Sequence, residues 1–289
     1  MLANREPGGP ARSTAPAADP GSETAEPSPT VGSSMSGTDP PPDSTAQESK
    51  TSFLQGVWDQ NARTDAYFSV LGGDALPGKH WQSPEFYATG RAEIEGILRR
   101  LARDGLVVRF ARVLDFGCGP GRLTEALADH ASQVTGIDIS REMIARARAQ
   151  STHANASYLV NPHPDLRLLP SDSFDLCISH LVLQHVGHEL AVRYLREICR
   201  VLTPGGIGEI QVPVGFGSVR GVGAAVLPNA VVRMYMERRY GVFYTTTYPI
   251  RPRKLTRILN ESGARIVEFQ PEPVTSSARI RSYVFVKGS

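Results

Sequence analysis

The sequence has few cysteines, and no two of them lie close together. Cys118, Cys177 and Cys199 form no CxxC pair, which argues against both a disulfide framework and a cysteine zinc site. The chain also lacks an apolar run long enough to cross a bilayer, and its start lacks the apolar stretch of roughly 7 to 15 residues that a secretory signal needs. We therefore expect a cytoplasmic protein with reduced thiols and no metal site.

The first fifty residues lack the side chains that build a core. They contain no aromatic residue, nine of the 22 prolines and only four larger apolar side chains. Such a composition cannot offset the entropy that a chain loses on ordering. We predict a disordered tail over residues 1–50 and a folded domain over residues 51–289, with translation beginning at either Met1 or Met35.

The charge is small overall but unevenly spread. The formal net charge is +2, yet residues 215–289 hold twelve basic and only four acidic residues. A solvated surface is the ordinary explanation of such a bias. A phosphorylated, carboxylated or membrane-associated substrate would also suit it.

Helical and strand patterns alternate through the chain. Apolar spacing predicts two helices, over 53–71 and 83–105, ahead of the first strand. Strands are then predicted at 108–116, 133–139, 157–161, 173–181 and 207–214, with helices at 121–131, 140–150 and 188–202 between them. This alternation is typical of a parallel, doubly wound sheet. A helix at 251–263 and an antiparallel hairpin of two strands are expected at the end, after a possible helix at 227–244.

A glycine-rich loop follows the first predicted strand. Gly117, Gly119 and Gly121 stand at alternate positions, where ligands meet the carboxyl edge of such a sheet and a bare backbone allows close approach. The GxGxxG/A fingerprint of nicotinamide cofactors would need a small residue at position 122. The chain has Arg122 there, which argues against a dinucleotide.

Two acids flank this loop. Asp115 precedes the glycines and suits a ligand with a cationic amino group, whereas Asp138 closes the second strand and suits the hydroxyls of a ribose. A ribose and an ammonium group without a phosphate describe S-adenosylmethionine.

Four segments resemble successive motifs of class I S-adenosylmethionine-dependent methyltransferases. They are VLDFGCGPGRLTEAL, VTGIDISREMI, LPSDSFDLCISHLVLQHV and LREICRVLTPGG, and their order covers residues 110–213. Flanking segments are similar to bacterial small-molecule members of the class. The resemblance implies a Rossmann-like, doubly wound, seven-stranded and mostly parallel sheet with an antiparallel last strand and an N-terminal helical lid. It divides the domain into N-terminal helices (51–107), a cofactor-binding core (108–214), an acceptor-side connection (215–250) and a final helix with two strands (251–289).

The resemblance also implies roles for particular residues. Expected cofactor contacts are Asp115, Gly117, Gly119 and Gly121 around the methionine portion, Asp138 on the ribose, Ile139 and Met143 on the adenine, Asn161 in place of the usual acid for the adenine amino group, and Ser179 beneath the sulfonium. His180 would lie at the sulfonium end and His185 would face the acceptor, with an ordinary pKa of about 6.5. Either histidine could equally be a structural residue, and both are carried as catalytic candidates.

The expected reaction is in-line methyl transfer to a small molecule, with positioning as the main contribution of the protein. We favour a hydroxyl oxygen of a sugar or secondary metabolite, because a histidine base would then have a proton to accept. Transfer to nitrogen or carbon and a non-catalytic cofactor-binding role remain open, as does the oligomeric state. The chain lacks the [DN]PP[YF] tetrad, so we expect no nucleic-acid partner. The acceptor should be enclosed by Trp58, Tyr67, Trp81, Tyr87 and the segment 215–248.

Overall fold

The computed structural model describes residues 43–71, 81–106, 109–216, 247–271 and 278–288, together with the isolated positions 234 and 238. The predicted tail up to residue 42, the possible helix at 227–244 and most of the acceptor-side connection lie outside the described residues. All of the predicted strands and the other predicted helices fall within them, apart from a few terminal residues.

The described part contains six helices and seven strands. The helices are α1 (Asp43–Leu71), α2 (Ser83–Arg103), α3 (Arg122–Ala128), α4 (Arg141–Gln150), α5 (His188–Val201) and α6 (Pro252–Glu261). The strands are β1 (Arg112–Phe116), β2 (Gln133–Asp138), β3 (Ala156–Val160), β4 (Phe174–Ser179), β5 (Leu202–Phe216), β6 (Ala264–Pro271) and β7 (Ala278–Lys287). No helix among the described residues is long and apolar enough to cross a membrane.

The strands form one sheet in the order β3-β2-β1-β4-β5-β7-β6. The first five strands pair in parallel, and β7 is antiparallel to both of its neighbours. Asp115 of β1 lies beside Gly136 of β2 and Ile178 of β4, so the loops that follow these three strands share one edge of the sheet. The predicted fold class is confirmed, and the strand order reverses beside β1, where open α/β sheets bind their ligands.

The core lies on both faces of the sheet. Val113 and Leu114 of β1 are fully buried but point to opposite faces, as the period of a strand requires. Leu114 joins the cluster beneath α5 and α6, and Val113 joins the cluster beneath α2 and α3. Because both faces are covered, the central strands read as continuous apolar runs.

Local signals set several element ends. The hydroxyl of Ser140 accepts a hydrogen bond from the Met143 amide at 3.1 Å, so this residue caps α4. The cap of α2 is Gln82, which makes no side-chain capping bond. Residues 203–206 belong to β5, because a register shift between Phe174 and Leu176 of β4 accommodates them.

The predicted boundary at residue 50 is wrong for residues 43–50. They are the first two turns of α1, and Gln47 is only 7 % exposed. Its side-chain oxygen accepts a hydrogen bond from Arg193 of α5 at 2.8 Å. The polar composition of this stretch concealed the contact, because the buried group is an amide with a partner rather than an apolar side chain.

Truncation tests this boundary. A chain that starts at Asp43 should melt at the temperature of the full chain, because the residues before it lack core-forming side chains. A chain that starts at Thr51 leaves Arg193 without its amide partner, and losing such a hydrogen bond costs about 1 kcal/mol, or roughly 2 to 4 °C in melting temperature. Calorimetric melting of the two truncated chains checks this. Equal melting temperatures would show that residues 43–50 contribute nothing.

Candidate functional site

The glycine loop is shaped by positive backbone angles. Gly117 and Gly121 have φ values of 77° and 91°, a region that glycine enters without strain. A Cβ at Gly117 would collide with Val182, which follows β4, and a Cβ at Gly121 would lie 2.8 Å from the hydroxyl of Tyr158. The bare backbone therefore lets two neighbouring segments pack against the loop.

Asp138 ties this loop to the end of β2. One carboxylate oxygen accepts the Gly119 amide at 2.9 Å, and the other accepts the Ser140 amide at 2.8 Å. Burial raises the pKa of Asp138 to about 6, against the effect of these hydrogen bonds. The group is therefore a partly desolvated anion at neutral pH that accepts further hydrogen bonds readily.

Helix α1 lies over the loop after β2. The side-chain amide of Gln55 donates to the Ile139 carbonyl at 2.9 Å. Asp59, one turn later, accepts from the Ser140 hydroxyl at 2.6 Å and from the Glu142 amide at 3.1 Å. These contacts repeat every four residues along one helix face, so α1 is fastened over the carboxyl edge of the sheet.

A cavity lies between α1 and the ends of β1, β2 and β4. The strand ends and their loops line one side of it, and Leu54, Trp58, Ser69 and Val70 of α1 line the other. Of the residues expected at a site, the cavity brings together Gly117, Gly119, Asp138, Ile139, Met143, Asn161, His180 and His185. Asp115, Gly121 and Ser179 are not among its lining residues.

Asp115 lies beneath the loop rather than in the cavity wall. It is 2 % exposed and accepts a hydrogen bond from the Thr124 hydroxyl at 2.6 Å. Burial raises its pKa to about 6. Ser179 is fully buried, and its hydroxyl has no hydrogen-bond partner among the described residues. Neither side chain lines the cavity, so the direct contacts that the resemblance implied for them stay predictions.

Asn161 reaches the cavity but is occupied by its own loop. Its side-chain amide donates to the Asp165 carbonyl at 2.8 Å, and its oxygen faces the His163 amide at 3.4 Å. Its backbone amide donates to the Asp138 carbonyl at 2.8 Å. The side chain therefore shapes the loop after β3, and its expected role as an acceptor for an adenine amino group stays a prediction.

His185 contributes an imidazole to the cavity wall. Its ring meets Trp58 edge to face with centroids 5.4 Å apart, and its Nε2 lies 2.9 Å from the Gln184 amide nitrogen. Burial lowers the pKa of His185 to about 4. The ordinary pKa expected from the sequence is thus wrong, because the cavity desolvates the ring and favours its neutral form.

His180 also lines the cavity, but both of its ring nitrogens are engaged. Nδ1 lies 2.5 Å from Glu93 of α2, and Nε2 is paired with Glu209 of β5. Burial alone would lower its pKa, but the charges and hydrogen bonds of the two carboxylates raise it to about 10. A ring that is protonated and bound at both nitrogens has no free site for another proton, so this geometry does not favour His180 as a base, and its expected catalytic role stays a prediction.

Of the four aromatic residues expected around an acceptor, only Trp58 lines the cavity. The Tyr67 ring stacks on Phe86 with centroids 4.3 Å apart, and the Tyr87 hydroxyl donates to the Pro120 carbonyl at 2.8 Å. These tyrosines fasten α1 and α2 to each other and to the glycine loop. Trp81, like them, is not among the lining residues.

Sequence reasoning missed the acids that bind His180. Glu93 lies on the buried face of α2, three residues after Gly90 and four before Ile97, which are both buried. Glu209 lies in the central strand β5 and is fully buried. An acid within a helix's apolar stripe and another within a central strand are the signals that would have found them.

Parts of this chain are similar in sequence to known proteins. Residues 114–209 match the family described as a methyltransferase domain. The chain is 36 % identical over 115 residues to a malonyl-[acyl-carrier protein] O-methyltransferase of Enterobacter lignolyticus, covering 38 % of this chain and 44 % of that one. It is 34 % identical over 139 residues to a ubiquinone biosynthesis O-methyltransferase of Xanthomonas campestris, covering 46 % of this chain and 55 % of that one.

Residues 114–209 match a methyltransferase domain, and the sheet that contains them has the class I methyltransferase fold. The resemblance seen in the sequence, and the S-adenosylmethionine dependence that accompanies it, are confirmed for this domain family. The chain spans about half the length of the curated relatives that it matches. Among solved structures, the magnesium protoporphyrin IX methyltransferase of Synechocystis PCC 6803 with bound SAH shares the fold at a TM-score of 0.58 and 17 % identity, covering 83 % of this chain and 100 % of that one.

The two cavity histidines should differ in protonation. Because two carboxylates hold His180 and burial lowers the pKa of His185, we expect His180 to remain protonated at pH 8 and His185 to remain neutral at pH 5.5. Nitrogen NMR of the full chain with labelled histidine, assigned with His180→Gln and His185→Gln, measures both states. A His185 ring that titrates near pH 6.5 would contradict its desolvation.

Proposed function

We propose that this chain transfers a methyl group from S-adenosylmethionine to an oxygen atom of a small molecule. The observation that carries the proposal is one cavity that joins the glycine loop and Asp138 to the neutral imidazole of His185. The first part fits a nucleoside cofactor, and the second part fits a group that accepts a proton from an acceptor.

The residues that line the cavity fit S-adenosylmethionine. Asp138 would hold the ribose hydroxyls, since a carboxylate accepts from both at once. Ile139 and Met143 offer apolar surface for the adenine, and the bare Gly117 and Gly119 admit the methionine portion. Asp115 lies too deep for direct contact and would act through the loop that it supports.

For this reaction the protein has to position the two reactants and provide a group that accepts a proton. S-adenosylmethionine, when bound, supplies an activated methyl group on a sulfonium. His185 would take the proton that a hydroxyl loses as its oxygen is methylated, and the imidazole must be neutral to do so. Trp58 and α1 would exclude water from this step.

The two relatives named above support oxygen over nitrogen or carbon, because both are O-methyltransferases, one of acyl-carrier chemistry and the other of ubiquinone biosynthesis. Leu54, Val186 and Leu190 are among the residues that line the cavity, and they give it apolar surface. We therefore propose an acceptor with an apolar body and a hydroxyl, a secondary metabolite rather than a bare sugar.

Methyl transfer to nitrogen or carbon and a purely cofactor-binding role are the alternatives. The cytoplasm remains the proposed location, and a small molecule rather than a nucleic acid remains the proposed partner. Mass spectrometry of metabolite extracts incubated with the full chain and methyl-labelled S-adenosylmethionine tests the function. A labelled product that gains its methyl on oxygen supports the proposal, whereas labelling on nitrogen or carbon contradicts it.

The first prediction from this function concerns Asp138. Asp138→Asn removes a charged acceptor, and losing a charge-assisted contact of about 1.5 to 3 kcal/mol weakens S-adenosylhomocysteine binding roughly ten- to a hundredfold. The pKa of about 6 adds a pH dependence. Because the ligand prefers the ionised carboxylate, affinity should rise about tenfold between pH 5 and pH 7 and then level off.

Titration calorimetry with S-adenosylhomocysteine measures both effects. Asp129→Asn is the matched control, because Asp129 is exposed at the end of α3 and does not line the cavity. Asp115, whose pKa is also about 6, can add to any pH dependence left in Asp138→Asn. Unchanged affinity in Asp138→Asn would exclude the ribose assignment.

The second prediction concerns His185. His185→Gln should lower turnover on the identified acceptor about a hundred- to ten-thousandfold and leave S-adenosylhomocysteine affinity within about twofold. At saturating cofactor the wild-type kcat should stay level from pH 8 down to about pH 5, because the ring with a pKa of about 4 becomes protonated only below that. His188→Gln, an exposed neighbour, is the control. Near-normal turnover of His185→Gln would show that no histidine base is used.

A further inference from the structure

A buried chain of charges runs beside the cavity. His180 forms its centre, with Glu93 on one ring nitrogen and Glu209 on the other. Arg122 of α3 pairs with Glu93 at 2.5 Å, and Arg100 of α2 pairs with Glu209 at 3.2 Å. The chain thus alternates three cations with two carboxylates and joins α2, α3, β5 and the end of β4.

The two inner groups are almost entirely shielded from water. The His180 side chain is 3 % exposed and the Glu209 side chain is not exposed at all. A neutral imidazole has one N–H, so binding two carboxylates requires the doubly protonated ring. The hydrogen bond from His180 also helps to lower the pKa of Glu93 to about 2, although burial acts to raise it. The three inner charges, Glu93, His180 and Glu209, are therefore each paired on both sides, which is the condition for burying them.

The residues after His180 form a strained turn. Leu181 has φ of 61°, a left-handed conformation that is costly for a residue with a branched side chain. Such a conformation persists only where the surroundings determine it. The next residue, Val182, packs directly against Gly117 of the glycine loop.

The same turn carries His185 into the cavity. The His185 amide donates to the Val182 carbonyl at 2.9 Å, and the Gln184 carbonyl accepts the Tyr248 amide at 2.8 Å. The position of the His185 ring therefore depends on where the turn leaves β4. That point is His180, which the two carboxylates hold.

We propose that Glu93, together with Glu209, clamps His180 as a positioning device that fixes the strained turn 180–187 and so places His185 and Val182 at the cofactor cavity. Glu93 is the positioning residue that can be changed most cleanly, because it belongs to a separate helix and does not line the cavity. The proposal rests on the proposed function for its effect on turnover, but not for its effect on the histidines.

The experiment compares Glu93→Gln with Glu95→Gln in the full chain labelled at histidine nitrogen. Glu95 is the matched control, because it lies on the same helix, is exposed and pairs with Arg99 at 3.4 Å. We expect Glu93→Gln to shift or broaden the ring signals of both His180 and His185, and Glu95→Gln to leave both unchanged. A change at His180 with no change at His185 would overturn the proposal, because the clamp would then not reach the turn.

Turnover gives a second reading. On the acceptor found for the wild type, Glu93→Gln should lower kcat about tenfold and change the KM for S-adenosylmethionine less than threefold. An unchanged kcat would contradict the positioning role. A lower kcat accompanied by a changed KM and a lower melting temperature would show a merely structural role.

Should Glu93→Gln fail to fold, Glu93→Asp retains the charge and is expected to produce the same shifts of the ring signals to a smaller extent. If the wild type does not bind S-adenosylhomocysteine at all, the proposed function fails while the NMR comparison still decides the clamp.

Discussion

The Asp138 carboxylate holds the edge of the sheet together. It accepts one backbone amide from the loop after β1 and another from the start of α4, so one side chain sets the distance between the two segments that a cofactor would contact. The neighbouring hydroxyl of Ser140 caps α4 and also donates to Asp59 of α1. The covering helix is therefore fastened to the same few residues that form the floor of the cavity.

Burial and pairing with carboxylates shift the pKa values of the two cavity histidines in opposite directions. Desolvation leaves His185 neutral, with a pKa of about 4. His180 lies five residues earlier and carries a proton, because two buried carboxylates outweigh the same desolvation. One turn of chain thus presents a neutral imidazole that can accept a proton and a charged imidazole that can only hold its partners.

The sequence predicted most of the architecture because its signals are local. Strand and helix periods and the glycines after β1 all act over a few residues, and each appears in the structure at the predicted place within a few positions. The family resemblance added the number of strands and the antiparallel last strand, which periodicity alone does not determine. The resemblance also supplied the expected roles of residues at the strand ends. Residues such as Gly119 and Asp138 line the cavity, because the backbone at the strand ends decides where they lie.

What could not be predicted depends on contacts distant in sequence. Asp115 turns toward Thr124 rather than the cavity, and His180 meets acids that lie 87 and 29 residues away. Gln47 is buried because its side chain binds Arg193 of α5. Its neighbours along the chain are polar, so the boundary of the folded domain was predicted too late. In each case the position of the side chain depends on one specific partner, and a periodic sequence pattern does not identify that partner.

We propose the cavity between α1 and the glycine loop as the cofactor site. A crystal structure of the full chain with S-adenosylhomocysteine tests this proposal most directly. We expect the ligand in this cavity, with its ribose hydroxyls on Asp138 and its sulfur on the side of His185 and Trp58. Ligand bound elsewhere on the molecule, or bound here without contact to Asp138, would contradict it.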